Sequence, residues 1–302
     1  MSDLYKYFAT NNSFMRYLLS VLYFIAGLSS YAQILPQGGI ELGPNEPLCL
    51  HCLWHDSTTK LDGFESVKIY DNGAWVEISY YDPISGRYYR RPPIYLLVEG
   101  QSNAFGYTEV PVMFNIVTDP RVHAFDGNNW GLASIGTAPF RDTGSRSGSY
   151  NFVFTTAKFS ANSLDVPVRI LINAGNGWTI ERYSQGVQHI RTVRLVTASG
   201  ATNVNVLWHQ GEANHNDSTS YWLGELAKRQ NLFNAEPWYS GNFIPGELLQ
   251  NGLMSNQNEA ISTLPNVVKS DGLIDIGDSI HFASISLHIL GILYGQKLLS
   301  LL

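Results

Sequence analysis

The sequence predicts an α/β fold: a largely parallel sheet covered by helices on both faces, with a small β-rich appendage ahead of it. Two observations carry this. From Ile94 onward five apolar, strand-like runs recur, "IYLLVEG", "VHAFDG", "VPVRILINAG", "TNVNVLWHQG" and "NFIPGEL". Longer segments such as "YNFVFTTAKFSANSL" and "IERYSQGVQHIRTVRLVTASG" separate several of them, and "SISLHILGILYGQKLLSLL" closes the chain with apolar residues at helical spacing. Strands alternating with helices imply parallel pairing, because each crossover returns the chain to the same end of the sheet.

The 302 residues suit one large domain, or one domain with an appendage. At 44% hydrophobic and 15% charged, the chain can bury a core, which excludes extensive disorder. The net charge is −6 and no cluster of Lys and Arg stands out, so nucleic acid is not an expected partner. Two cysteines, Cys49 and Cys52 in "LCLHCLW", form a lone C-x-x-C. Although His51 and His55 lie nearby, no second such pair completes a zinc site, so a local disulfide or two free thiols is the preferred reading.

Residues 1–32 read as a secretory signal peptide. Arg16 precedes an apolar run from Tyr17 to Leu28, and Ser30-Tyr31-Ala32 precedes Gln33. The run is short for a membrane span, and the alternative is a buried or anchored helix. Met15 is a second candidate start. After cleavage no stable span is expected, and the protein is expected outside the cytoplasm: secreted, periplasmic or at the cell surface. Residues 33–92 form a linker rich in Gly and Pro followed by the appendage. Within it, "SVKIYDNGAWVEIS" places two β-prone runs around Asn72-Gly73, a strong hairpin signal. Pro92-Pro93 ends this region, and residues 93–302 form the main domain.

In a parallel α/β sheet, ligands bind outside the carboxyl ends of the strands. Four of the five runs end in Gly with polar residues at or beyond it: Gly100-Gln101-Ser102, Asp126-Gly127, Gly175-Asn176-Gly177 and Gln210-Gly211-Glu212. Ser102 is the candidate nucleophile, with its hydroxyl expected at a solvent-facing sheet edge. A helix N-cap is its ordinary alternative. Of the eight histidines, His281 lies just before the terminal helix with Asp278 three residues earlier. At that spacing Asp278 can turn back to the imidazole Nδ1–H and leave Nε2 for the serine. Asp275 is a nearby alternative. Three donors suit a developing oxyanion: the backbone N–H of Ser102, the backbone of Gly177, which lacks a Cβ and can approach closely, and the side-chain amide of Gln210.

The blocks "EGQSNAFG", "NGWTIERY", "WHQGEAN" and "DSIHFA", in this order, resemble the SGNH/GDSL hydrolase superfamily. They are most similar to its sialate O-acetylesterase-like branch, which includes acetylxylan esterases of carbohydrate esterase family six. The resemblance runs from about Ile94 to the C-terminus. It implies a flavodoxin-like three-layer α/β/α sandwich with a mainly parallel sheet of about five strands. It also implies Ser102 as nucleophile, His281 as base, Asp278 as its orienter, and Ser102, Gly177 and Gln210 as oxyanion donors. Where that branch has Gly-Gly-Thr or Gly-Gly-Ser, this chain has Asn176-Gly177-Trp178, which leaves substrate preference open.

The implied activity is a secreted serine esterase that removes O-acetyl groups from a carbohydrate through an acyl-enzyme, with no cofactor. The alternative is a carbohydrate-binding surface or virion protein that keeps the fold while its appendage does the biological work. Glu212 reads as a buried hydrogen-bonding anchor. Gln210 has a second reading, as an amide that pins its own loop. Trp130, Trp178 and Trp208 could stack on sugar rings, though large aromatics are more often core. His209 and His215 have no ligand spacing with a carboxylate, so no metal is expected.

Overall fold

The structure, a computed structural model, describes residues 41–43, 53–56, 64–71, 74–107, 118–134 and 150–302. The leader, Cys49, Cys52 and the Asn72-Gly73 pair lie outside the described residues. The chain divides into two compact units, Met1–Thr58 with Ser66–Ile78 and Thr59–Glu65 with Ser79–Leu302. In the first, β1 (Glu41–Gly43) runs parallel to β2 (Leu53–Asp56), and β2 runs antiparallel to β3 (Glu65–Asp71). β4 (Ala74–Asp82) lies beside β3, so the two β-prone runs are neighbouring strands.

In the second unit the end of β4 pairs antiparallel with β5 (Arg87–Tyr89). The main sheet follows: β6 (Ile94–Gly100), β7 (Val122–Phe125), β8 (Trp130–Leu132), β9 (Val168–Ala174), β10 (Asn205–His209) and β11 (Phe243–Pro245). Their spatial order is β11-β10-β6-β9-β7-β8. The five apolar runs supply the five parallel strands. The sixth, β8, was not expected. It pairs antiparallel with β7 because Asp126 Oδ1 accepts the N–H groups of Asn128 and Asn129, both at 2.8 Å, and turns the chain back in a hairpin.

Every residue of β6, β9 and β10 is buried, as strands covered on both faces require. Alternate side chains feed two layers. Leu96 and Val98 of β6 pack with α2 (Phe152–Leu164) and α7 (Ser284–Leu299), through Val153, Leu287 and Leu290 among others. Tyr95 and Leu97 face Val196 of α4 (Val187–Ser199) and Phe233 of α5 (Thr219–Asn234). A third cluster joins Trp208 to Trp222 and Leu226 of α5, Ile180 of α3 (Ile180–Ser184), and Ala260 and Ile261 of α6 (Ser255–Ser262). The fold is the three-layer α/β/α sandwich.

Local chemistry sets the helix ends. Asn151 Oδ1 accepts from Val153 N–H at 2.9 Å to start α2, and Ser218 Oγ accepts from Tyr221 N–H at 3.3 Å to start α5. The segment 180–200, read as one stretch, is two helices because Gly186 takes φ 88° between them. One buried charge ties the layers together. Arg229 of α5 donates from Nε to Glu99 Oε2 at 2.9 Å and from Nη2 to Oε1 at 2.5 Å, and neither side chain touches solvent.

Candidate active site

The register of the sheet places the site. Gly100 pairs with Ala174 on one side and His209 on the other, so β6, β9 and β10 end level. The next residues, Gln101-Ser102, Gly175-Asn176-Gly177 and Gln210-Gly211-Glu212, all leave from that edge. Gly100 is required by this packing: a Cβ there would lie 1.9 Å from the His209 carbonyl oxygen.

Ser102 opens the short helix α1 (Ser102–Phe105), with Gln101 in the capping position. The first N–H groups of a helix have no acceptor within it, so the Ser102 N–H is among the donors such a turn presents. Ser102 itself is only 4% exposed, against the expectation of a solvent-facing hydroxyl. The reason is the loop that carries His281, which comes over it.

That loop, between α6 and α7, is built around Asp278. Its Oδ1 accepts the backbone N–H groups of Ile280 at 3.0 Å and His281 at 2.8 Å. Oδ2 meets His281 Nδ1 at 2.6 Å, and His281 Nε2 lies 2.9 Å from Ser102 Oγ. Partial burial pushes the Asp278 carboxyl up, but the His281 backbone N–H, its ring and the Ile280 N–H together hold it below the usual carboxylate value. The carboxylate is therefore charged where it faces the imidazole. Asp275, the alternative, accepts instead from Gly277 N–H at 2.8 Å. The tilted ring of Tyr107 lies 4.3 Å from the His281 ring, centroid to centroid, a neighbour for which the sequence carried no signal.

Asn103 follows the serine in "EGQSNAFG". The structure gives it three bonds. Its Nδ2 donates to Ile280 O at 3.0 Å and to Glu212 Oε1 at 2.6 Å, and its Oδ1 accepts from Phe282 N–H at 3.0 Å. The residue after the serine thus grips the chain on both sides of the histidine.

Gly177 has φ 65°, and a Cβ there would meet nothing. A left-handed backbone, not crowding by neighbouring atoms, is what calls for glycine at this position. Gln210 is fully buried and its amide has partners within the fold. Nε2 donates to Asn214 Oδ1 at 2.6 Å and to Trp178 O at 3.3 Å, while Oε1 accepts from Trp222 Nε1 at 3.1 Å. This cross-link joins the Gly177 loop to the Gln210 loop, the pinning arrangement that was its second reading.

Glu212 is the buried anchor its position suggested. Burial raises its carboxyl to about 7, against the opposing hydrogen bond from Asn103. His209 lies beside it, Nε2 to Glu212 Oε1 at 3.8 Å, and burial lowers the imidazole to about 3, so it is neutral. Among the described residues no His, Cys, Asp or Glu side chains gather into a set that could hold a metal ion. Trp208 is fully buried core. Trp130 is half-buried and donates from Nε1 to Ser199 O at 3.1 Å. Trp178 is half-buried too, with the guanidinium carbons of Arg182 and Arg191 5.9 and 5.3 Å from its ring.

A parallel α/β/α sandwich with this serine, histidine and aspartate at the carboxyl edge defines an SGNH/GDSL-type hydrolase. The chain belongs to the family described as carbohydrate esterase, sialic acid-specific acetylesterase, whose model matches residues 92–300. Among solved structures it is similar to an Arabidopsis thaliana protein, at 22% identity and a TM-score of 0.55, covering 69% of this chain and 99% of that one. It is also similar to a carbohydrate acetylesterase of Xanthomonas citri, at 14% identity and a TM-score of 0.48, covering 78% of this chain and 60% of that one. An acetyl xylan esterase of Geobacillus stearothermophilus matches at 12% identity and a TM-score of 0.41, covering 68% and 95%. No curated sequence matches the chain.

Proposed function

We propose that the protein is a secreted serine esterase that removes O-acetyl groups from a carbohydrate. The observation that carries the reading is the continuous path from Asp278 through His281 to Ser102, with contacts of 2.6 and 2.9 Å. Family membership supports the acetyl ester as the bond broken.

The Ser102 Oγ attacks the acetyl carbonyl carbon while His281 Nε2 takes its proton, and the carbonyl electron pair moves onto oxygen. The Asp278 carboxylate fixes the imidazole tautomer and stabilises its charge. Backbone N–H groups of Ser102 and Gly177 donate to the oxyanion. Gln210 joins them by exchanging Trp178 O for the substrate oxygen. The intermediate then collapses: the carbon–oxygen bond to the sugar breaks, and the sugar oxygen leaves with the proton held by His281. Water, deprotonated by His281, attacks the acetyl-Ser102 carbonyl; the bond from that carbon to Ser102 Oγ then breaks, Oγ takes the proton back from His281, and acetic acid leaves and ionises to acetate.

Export rests on the Arg16, apolar and Ser30-Tyr31-Ala32 pattern. Among the described residues no helix is long and apolar enough to cross a membrane. The test is acetate release from O-acetylated sialic acid, xylan and other sugars, wild type beside Ser102→Ala. Release by the wild type alone supports the reading; binding of these sugars with no release by either protein favours the carbohydrate-binding alternative.

A further inference from the structure

The hydrolase reading uses Ser102, His281 and Asp278 and leaves the buried group behind them without a task. That group is Asn103, Glu212 and His209, each at most 3% exposed. Its geometry is specific. The Asn103 side chain binds the carbonyl of Ile280 and the N–H of Phe282, the two residues that flank His281, at 3.0 Å each. It can do so only one way round, with the nitrogen towards Ile280 O and the oxygen towards Phe282 N–H. An amide turned over would set oxygen against oxygen and N–H against N–H.

Glu212 decides which way round it sits. Its Oε1 accepts the second Asn103 Nδ2 proton at 2.6 Å. Among the described residues its Oε2, and His209 Nε2, have no hydrogen-bond partner. His209 Nε2 lies 3.8 Å from Oε1. On the far side, Tyr294 Oη donates to Trp208 O at 2.8 Å, so its oxygen takes the His209 Nδ1–H at 3.4 Å and leaves Nε2 as an acceptor. An imidazole that turns only its acceptor nitrogen, Nε2, towards a buried carboxyl matches a carboxyl that keeps its proton, and burial moves the Glu212 pKa in that direction.

We propose that Asn103 is a positioning residue that holds His281 Nε2 against Ser102, and that Glu212 orients the Asn103 amide for it. The proposal rests on the esterase reading for its kinetic consequence, but the geometry of the histidine loop can be measured without turnover. The mechanism is leverage: two backbone bonds fix the short peptide that carries the imidazole, and a shift of about 1 Å there costs on the order of 10²-fold in rate.

The experiment compares Asn103→Ala, Asn103→Asp, Glu212→Gln and Glu212→Leu with the wild type. It reads kcat and KM on p-nitrophenyl acetate, melting temperature, and the ring N–H proton signal of His281. Asn103→Ala is expected to lower kcat by roughly 10²-fold with KM within about twofold, and to shift or broaden the His281 signal. Asn103→Asp keeps the shape but loses both Nδ2 donors, and should lose kcat likewise. It is the informative variant if the alanine protein does not fold. Glu212→Gln should preserve kcat, because its amide oxygen can still accept from Asn103. Glu212→Leu should not. Wild-type kcat and an unchanged His281 signal in both Asn103 variants would overturn the proposal, as would equal loss in Glu212→Gln and Glu212→Leu. If the wild type has no turnover the esterase reading fails, and the His281 signal alone then decides the positioning claim.

Discussion

His281 Nε2 lies 2.9 Å from Ser102 Oγ across a chain separation of 179 residues. Local contacts alone do not hold it. It depends on β6 and β10 ending level, on Asp278 folding the loop onto itself, and on Asn103 gripping that loop from the serine side.

Ser102→Ala is expected to abolish acetyl-ester hydrolysis and to leave the fold intact. The hydroxyl is buried and hydrogen-bonded, so the variant should lose about 0.5–1.5 kcal/mol. Denaturant unfolding and the ester assay on the same preparation measure both. A larger stability loss would mean that the hydroxyl also holds the loop in place.

Gln210→Ala should lower kcat by roughly 10²–10³ with little change in KM, because the oxyanion interaction forms fully only in the transition state. The same variant should melt earlier, since it leaves the buried Trp222 Nε1 without its 3.1 Å acceptor. Gln210→Glu should be at least as harmful to kcat, as a carboxylate repels the developing charge. Earlier melting with normal kcat would restrict Gln210 to pinning its loop and leave the oxyanion to Ser102 and Gly177.

Glu212 gives the fold a pH dependence of definite sign. Its carboxyl titrates at about 7 when buried, against an ordinary 4.5, so the folded state prefers the protonated form. That contribution is complete below pH 4.5 and is lost as pH rises through 7. A difference of this size amounts to about 3 kcal/mol. Melting temperature should therefore fall more steeply between pH 5 and 8 in the wild type than in Glu212→Gln. Parallel curves would mean that Glu212 stays charged throughout.

Arg229→Ala leaves the Glu99 carboxyl buried in the sheet without its bidentate partner, a change that typically costs about 3–5 kcal/mol. Chemical denaturation should register that loss, and a surface substitution such as Arg194→Ala should not.

What was legible in the sequence had a local signature. The first apolar run ends in glycine because Gly100 faces the His209 carbonyl too closely for any Cβ, and the pairing of β6, β9 and β10 places the polar residues after them on one edge. Asp278 and His281 were legible because three residues of spacing suffice for a turn. The structure's additions are long-range. β8 depends on an Asx turn at Asp126, which looked like one more site loop. The burial of Ser102 and the grip of Asn103 arise from a segment 179 positions away, and no periodicity encodes that. Gly177 was legible as a backbone that could approach a substrate closely, whereas its φ of 65° is a second demand on that position that the sequence did not show. Of the partners of Gln210, Asn214 closes "WHQGEAN" itself, but Trp178 and Trp222 lie on other segments and could not be read from it.

The measurement that bears most directly on the central claim is rapid-quench mass spectrometry of the protein mixed with an acetyl ester. The account requires one acetyl group on the peptide that contains Ser102, formed at least as fast as steady-state turnover and lost with release of acetate, and no such adduct in Ser102→Ala. Turnover by Ser102→Ala at the wild-type rate, or an acetyl group that accumulates on another residue while turnover continues, would contradict it.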